Sequence, residues 1–354
     1  MKMNRIKWID IFKGCGIILI VLGHVLRTGV FRNIVYYFHV PAFFFISGIT
    51  TKDKPLNRTY IWSQFKRLMI PYYFFGIVSI AVYAVLGELV AKGFDMSNTQ
   101  GVVANLKALL YGSSILSFNA PLWFLPALFV TKLLYQSLCT LLRGNKKLLF
   151  IFAILACFAA YIYTNANLFA LPFSLELVFK LFPFFLAGQI CAPLLIDMES
   201  KATARWKFLL AALCVLPMTC VAAAFAPPIN YTNNQISNPI VFYGIASVGC
   251  IALFYLSIGV QHIRWLDFIG RKTMPILVMH KFPIVFFQVI APFSELLKKT
   301  DTVTGIFSAI LVSAITLFLC IIVGLAFEKF CPILLGTQQK NSKGQAKQAL
   351  VCDE

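Results

Sequence analysis

Gly14-Cys15-Gly16-Ile17-Ile18-Leu19-Ile20-Val21-Leu22-Gly23-His24-Val25-Leu26 is an apolar run of membrane type with one titratable side chain, His24, in its second half. An ionisable group in hydrocarbon is costly and as a rule faces a protein interior or a wet cavity, so His24 is the first candidate functional residue. If the run is a helix turning about 100° per residue, Lys13 and Asp10 fall within roughly 40° of the His24 direction. One face then carries Asp10, Lys13, Ile17, Ile20 and His24. Lys13 and His24 would lie about 16 Å apart along the axis, half the hydrocarbon thickness. The face therefore links one membrane surface to the interior of the bilayer.

The rest of the chain has the same character. Of its 354 residues, 60% are hydrophobic and 12% charged, and the mean hydropathy is +0.82. Soluble domains carry about 25% charged residues, so this composition belongs to a polytopic membrane protein. Apolar runs near twenty residues predict about ten transmembrane helices, near 11–30, 34–50, 68–90, 121–142, 148–165, 175–196, 208–226, 240–261, 273–293 and 304–329. The expected fold class is all-α, with residues 1–335 as one transmembrane domain and 336–354 as a polar, disordered cytoplasmic tail.

The formal charge of +18 does not point to nucleic acid, because no long basic run or basic soluble domain is present. With the amino terminus in the cytoplasm, 22 of the 31 Lys and Arg residues fall in cytoplasmic segments, as the positive-inside rule requires when both termini are inside. The first helix reads as a retained anchor, since no small-residue cleavage site follows it. The ten cysteines show no metal-type spacing and fall mostly within apolar runs, so no metal is expected.

Five stretches in order resemble the acyltransferase 3 family of membrane O-acyltransferases, in particular its fucose 4-O-acetylase-like branch. They are Trp8-Ile9-Asp10-Ile11-Phe12-Lys13-Gly14 with Val21-Leu22-Gly23-His24; His39-Val40-Pro41-Ala42-Phe43-Phe44-Phe45-Ile46-Ser47-Gly48; Phe65-Lys66-Arg67-Leu68-Met69-Ile70-Pro71; Pro121-Leu122-Trp123-Phe124-Leu125-Pro126; and Phe268-Ile269-Gly270-Arg271-Lys272 running to His280. The resemblance implies an O-acetyltransferase of the bacterial cytoplasmic membrane. It would take an acyl group from cytoplasmic acyl-CoA, with acetyl-CoA favoured, and place it on a hydroxyl of an envelope glycan or lipid-linked sugar, in contact with membrane lipid. It maps the family's catalytic histidine to His24 and puts Lys13 where better-studied relatives have arginine, which keeps the charge and loses the bidentate fork. Of the basic pair proposed to hold the coenzyme, it leaves Arg67, with Lys66 adjacent and Gln64 in the other place.

The residues support this chemistry in their own right. Acyl transfer to an alcohol needs a base, donors for the developing oxyanion and a positive site for phosphates, and histidine titrates in the range that a base requires. Asp10 either neutralises Lys13 or orders the cytoplasmic mouth; about three turns from His24, it is no direct triad partner. His280, roughly 10 Å deep from the cytoplasmic side, is grouped with the donor-binding residues, and His39 is expected nearer to His24. Asn119 and Trp123, at the outer start of a helix, suit a sugar, although Trp123 also fits an interfacial aromatic belt. Ser47-Gly48 is either a close helix contact or part of the substrate site. Lys132, Lys180 and Lys281 interrupt apolar spans, and each either snorkels or lines a cavity. Transfer is either direct or through an acyl-histidine. A polysaccharide or lipid-intermediate exporter is the alternative reading.

Overall fold

Length and apolarity set the architecture, because a backbone in hydrocarbon must satisfy its own hydrogen bonds. A computed structural model describes residues 6–26, 28–94, 101–112, 118–166, 170–231, 236, 238–290, 293–300 and 302–337, so the tail from 338 onward lies outside the described residues. Among the described residues the fold is all-α, in the order α1 (Lys7–Val25), α2 (Val30–Thr50), α3 (Arg58–Gln64), a π-helical turn (Phe65–Met69), α4 (Ile70–Phe94), α5 (Val102–Tyr111), α6 (Phe124–Leu141), α7 (Lys146–Asn165), α8 (Leu175–Ser200), α9 (Arg205–Phe225) and α10 (Pro239–Gly259). Three short helices follow, α11 (Arg264–Arg271), α12 (Thr273–Met279) and α13 (Lys281–Val289), then α14 (Phe293–Lys298) and α15 (Val303–Phe330).

Nine helices among the described residues are long and apolar enough to cross a membrane. The run expected as a single span at 273–293 forms α12 and α13 instead, which meet at His280. Pro283 explains the break: it has no amide to donate to the carbonyl four residues back, at Met279, and its ring crowds that carbonyl.

Burial identifies the centre of the bundle. The spans α1 and α2 are 67% and 78% buried, against 17% for α9, which leaves most of its apolar surface for lipid. Two glycine contacts bring the central backbones together, as small residues do in membranes. A Cβ on Gly270 would stand 1.7 Å from the Asp10 carbonyl oxygen, and one on Gly14 would stand 2.4 Å from that of Leu266, so α11 lies directly on the start of α1. Gly48 and Gly188 do the same for α2 and α8, with 2.0 and 2.1 Å to the carbonyls of Phe185 and Phe45.

Candidate active site

The loops that carry most of the Lys and Arg residues define a basic face of the bundle. On this face a cavity of about 290 Å³ opens among α1, α2, the π-helical turn, α6, the α11–α12 corner and the turn at Gly336–Thr337. Its walls carry Lys13, Arg67, Lys132 and Arg271 together with Asp10. Lys132 is buried although it sits in the middle of α6, so it lines the cavity rather than snorkelling to the surface. The deep end is apolar, formed by Ile17, Phe43, Phe124, Leu125 and Leu277.

Arg67 owes its position to the π-helical turn. Pro71 cannot donate to the Arg67 carbonyl, so the α-helical ladder fails there, and the Ile70 amide reaches back to Phe65 instead. The left-handed Gly336, at φ +66°, packs against that Arg67 carbonyl; a Cβ there would come within 2.2 Å of the oxygen. Lys66 points elsewhere. It borders a separate groove with Phe330, Ile333 and Leu334, and its Nζ lies 5.8 Å from the Trp62 ring.

Above the cavity, α1 reaches a cluster of histidine and tyrosine rings. The His24 ring lies 5.2 Å from that of His280, and the Tyr36 hydroxyl is 3.3 Å from His24 Nδ1. His280 Nδ1 donates to the carbonyls of Ile276 (3.0 Å) and Leu277 (2.9 Å). These bonds fix the tautomer with a lone pair on Nε2, an atom that is buried and has no hydrogen-bond partner among the described residues. His39 is fixed in the same way by the Val35 carbonyl at 2.8 Å, and the Tyr36 ring lies between it and His24, 4.9 Å from His39 and 5.9 Å from His24.

His280 is therefore the histidine beside His24, which reverses the expected order. Depth counted from the end of a helix places His280 too shallow, because the Gly14–Gly270 contact sets the relative depth. His24 and His280 each lie ten residues beyond that contact, and so sit level at about 15 Å past it.

The wall of the cluster away from His24 is aromatic. Tyr36 stacks on Tyr231 at 6.3 Å and Tyr231 on Trp123 at 6.2 Å, and the Arg32 guanidinium sits 3.9 Å over the Tyr36 ring. Asn33 holds the Tyr231 loop by donating to the carbonyls of Ala223 and Ala226 and accepting from the Ile229 amide. Asn119 Nδ2 donates to Ser79 Oγ (3.2 Å) and the Val278 carbonyl (3.0 Å), while its buried Oδ1 has no partner among the described residues.

The acyltransferase 3 family, described as an acyltransferase domain, matches residues 6–325. The chain belongs to that family. It is thus a multi-pass membrane acyltransferase, and the cationic residues of the cavity and the histidine cluster fall within the matched residues. No curated protein and no solved structure matches it.

The structure divides the residues predicted for the site into two groups. Asp10, Lys13, Arg67 and Ser47 line the basic-face cavity, so Ser47 lies with these residues rather than with Asn119 and Trp123, and its neighbour Gly48 makes the close helix contact. His24, His39, His280 and Trp123 belong to the upper cluster, and Asn119 reaches it through α12. Lys180 lines neither compartment: it is buried with its Nζ 4.6 Å from the Tyr161 ring. Tyr36, Arg32 and Tyr231 were missed. Tyr36 shares the α2 face of His39 and Phe43 at helical spacing, a legible signal; Tyr231 lies in a loop, where no periodicity announces it.

Proposed function

We propose that the protein is a membrane O-acetyltransferase that takes acetyl from acetyl-CoA at the basic face and esterifies a hydroxyl of an envelope glycan or lipid-linked saccharide in a bacterial cytoplasmic membrane. One observation carries this reading: a single helix, α1, lines a cation-walled cavity at Lys13 and, about 16 Å further along, presents His24 beside a second histidine. Lys13, Arg67, Lys132 and Arg271 offer the charge that phosphates require. The apolar deep end suits an uncharged thioester arm.

In this reading the acceptor hydroxyl attacks the thioester carbonyl carbon, its proton passes to a ring nitrogen of His24, and the carbon–sulfur bond breaks. The leaving thiolate then takes that proton and departs as free CoA thiol. Tyr36 holds the His24 ring by its Nδ1, which leaves Nε2 for this exchange. Tyr36, Tyr231 and Trp123 provide stacked faces for a sugar ring, in keeping with a fucose 4-O-acetylase-like substrate class.

The test compares cells expressing wild type and His24→Ala at matched membrane levels, with base-labile esters on isolated envelope glycans scored by mass spectrometry. The expected result is an acetyl increment with wild type and none with the variant. Equal esterification in both would overturn the assignment.

A further inference from the structure

The cavity on the basic face stops short of His24. Its deep wall is made of Ile17, Phe43, Phe124 and Leu277, and each has a counterpart in the upper cluster on its own helix. Ile17 precedes His24 by two turns and Leu277 precedes His280 by one, while Phe43 is one turn from His39 and Phe124 adjoins Trp123. One apolar layer therefore separates the two compartments on four helices at once.

The layer is closely packed. Phe43 and Phe124 meet edge to face at 6.0 Å, and Phe44 abuts Phe124 from the other side at 5.5 Å. All four wall residues are at most 9% exposed. Gly16 seats the Phe43 ring: a Cβ there would come within 2.8 Å of Phe43 Cε2.

Resting on the acyl-CoA reading above, we infer that Phe43 and Phe124, with Ile17 and Leu277, form a collar through which the acyl end of the donor must pass, and that this collar sets the length of acyl chain accepted. Among the described residues this layer stands between the cation-lined cavity and the His24 cluster on each of these helices. A thioester arm entering past Lys13 and Arg67 and bound for His24 has to displace the side chains of this layer, the Phe43 and Phe124 rings among them. The space opened by their displacement is small and apolar. An acetyl group needs little of it, and each further methylene must displace more of a dense interior. Discrimination by a hydrophobic pocket against one methylene is worth roughly tenfold or more.

The collar is tested by the affinities of free CoA, acetyl-CoA and hexanoyl-CoA for the purified full-length protein in lipid nanodiscs, with wild type, Phe43→Leu, Phe124→Leu and Phe43→Ala. The quantity read is the ratio of hexanoyl-CoA to free CoA affinity, which cancels a general weakening of the site. The expected result is a ratio for wild type at least about tenfold below that for acetyl-CoA, rising severalfold in both leucine variants and further in Phe43→Ala. The leucine variants keep an apolar side chain, so the test survives misfolding of Phe43→Ala. Wild type binding hexanoyl-CoA as well as acetyl-CoA, or leucine variants with the wild-type ratio, would overturn the collar and leave the acyl-CoA reading in place. Failure of every chain, wild type included, to bind free CoA would overturn the donor reading itself and the collar with it.

Discussion

Around Lys13, α1 faces an open cavity with Arg67, Lys132 and Arg271 on its walls; around His24 it faces His280, Tyr36 and, beyond them, His39 and Tyr231. The first region concentrates positive charge near the surface, where a phosphate can offset it. The second holds polar groups deep in the bundle and orients His39 and His280 by hydrogen bonds from Nδ1 to backbone carbonyls. Charge at one end and fixed tautomers at the other suit different tasks, holding an anionic donor and moving a proton. The two ends of one helix should therefore fail differently when mutated.

The largest expected effect is at the upper end. His24→Ala should lower acyl transfer by about a thousandfold, within the range of a lost general base, while calorimetric titration still detects acetyl-CoA binding. Loss of both together would erase the distinction between the two ends. Next, Gly270→Val should cost about 3 kcal/mol of stability through overpacking against the Asp10 carbonyl, read as a lowered midpoint of unfolding in detergent. The same contact sets the His24–His280 level, so residual folded protein should transfer poorly, whereas normal transfer would show that the register does not matter.

Arg67→Ala should weaken acetyl-CoA binding by about 2 kcal/mol, a roughly thirtyfold rise in Kd, with the rate at saturating donor largely kept. A fall in that rate with unchanged Kd would move Arg67 out of the donor site. The smallest effect is expected for Tyr36→Phe, which removes one hydroxyl from His24 Nδ1 and should slow transfer about fivefold, near 1 kcal/mol, without altering the Kd for acetyl-CoA.

Much of this was legible in the chain itself, for identifiable reasons. Helical period alone placed Asp10, Lys13, Ile17 and His24 on one face, because α1 runs unbroken from Lys7 to Val25. Arg67 was legible through its basic flank; the π-helical turn that presents it follows from Pro71, whose effect on the carbonyl four residues back can be read from spacing. The level of His280 was not legible, since it depends on a contact between Gly14 and Gly270 that no local pattern encodes. Tyr231 was hidden for a related reason: its loop is held by Asn33, nearly two hundred residues away in sequence. Lys132 and Lys180 look alike as lysines within apolar spans, and only the tertiary fold sends one to the cavity and the other to the Tyr161 ring.

On the proposed function, α1 links a donor held at the basic face to chemistry deeper in the bundle. This link is tested most directly in sealed membrane vesicles of known orientation, containing acceptor glycan from the native envelope and supplied with acetyl-labelled CoA on one side only. The account predicts base-labile label on glycan when the donor is given to the basic face, and none when it is given to the opposite face. Label formed equally from the opposite face would contradict it.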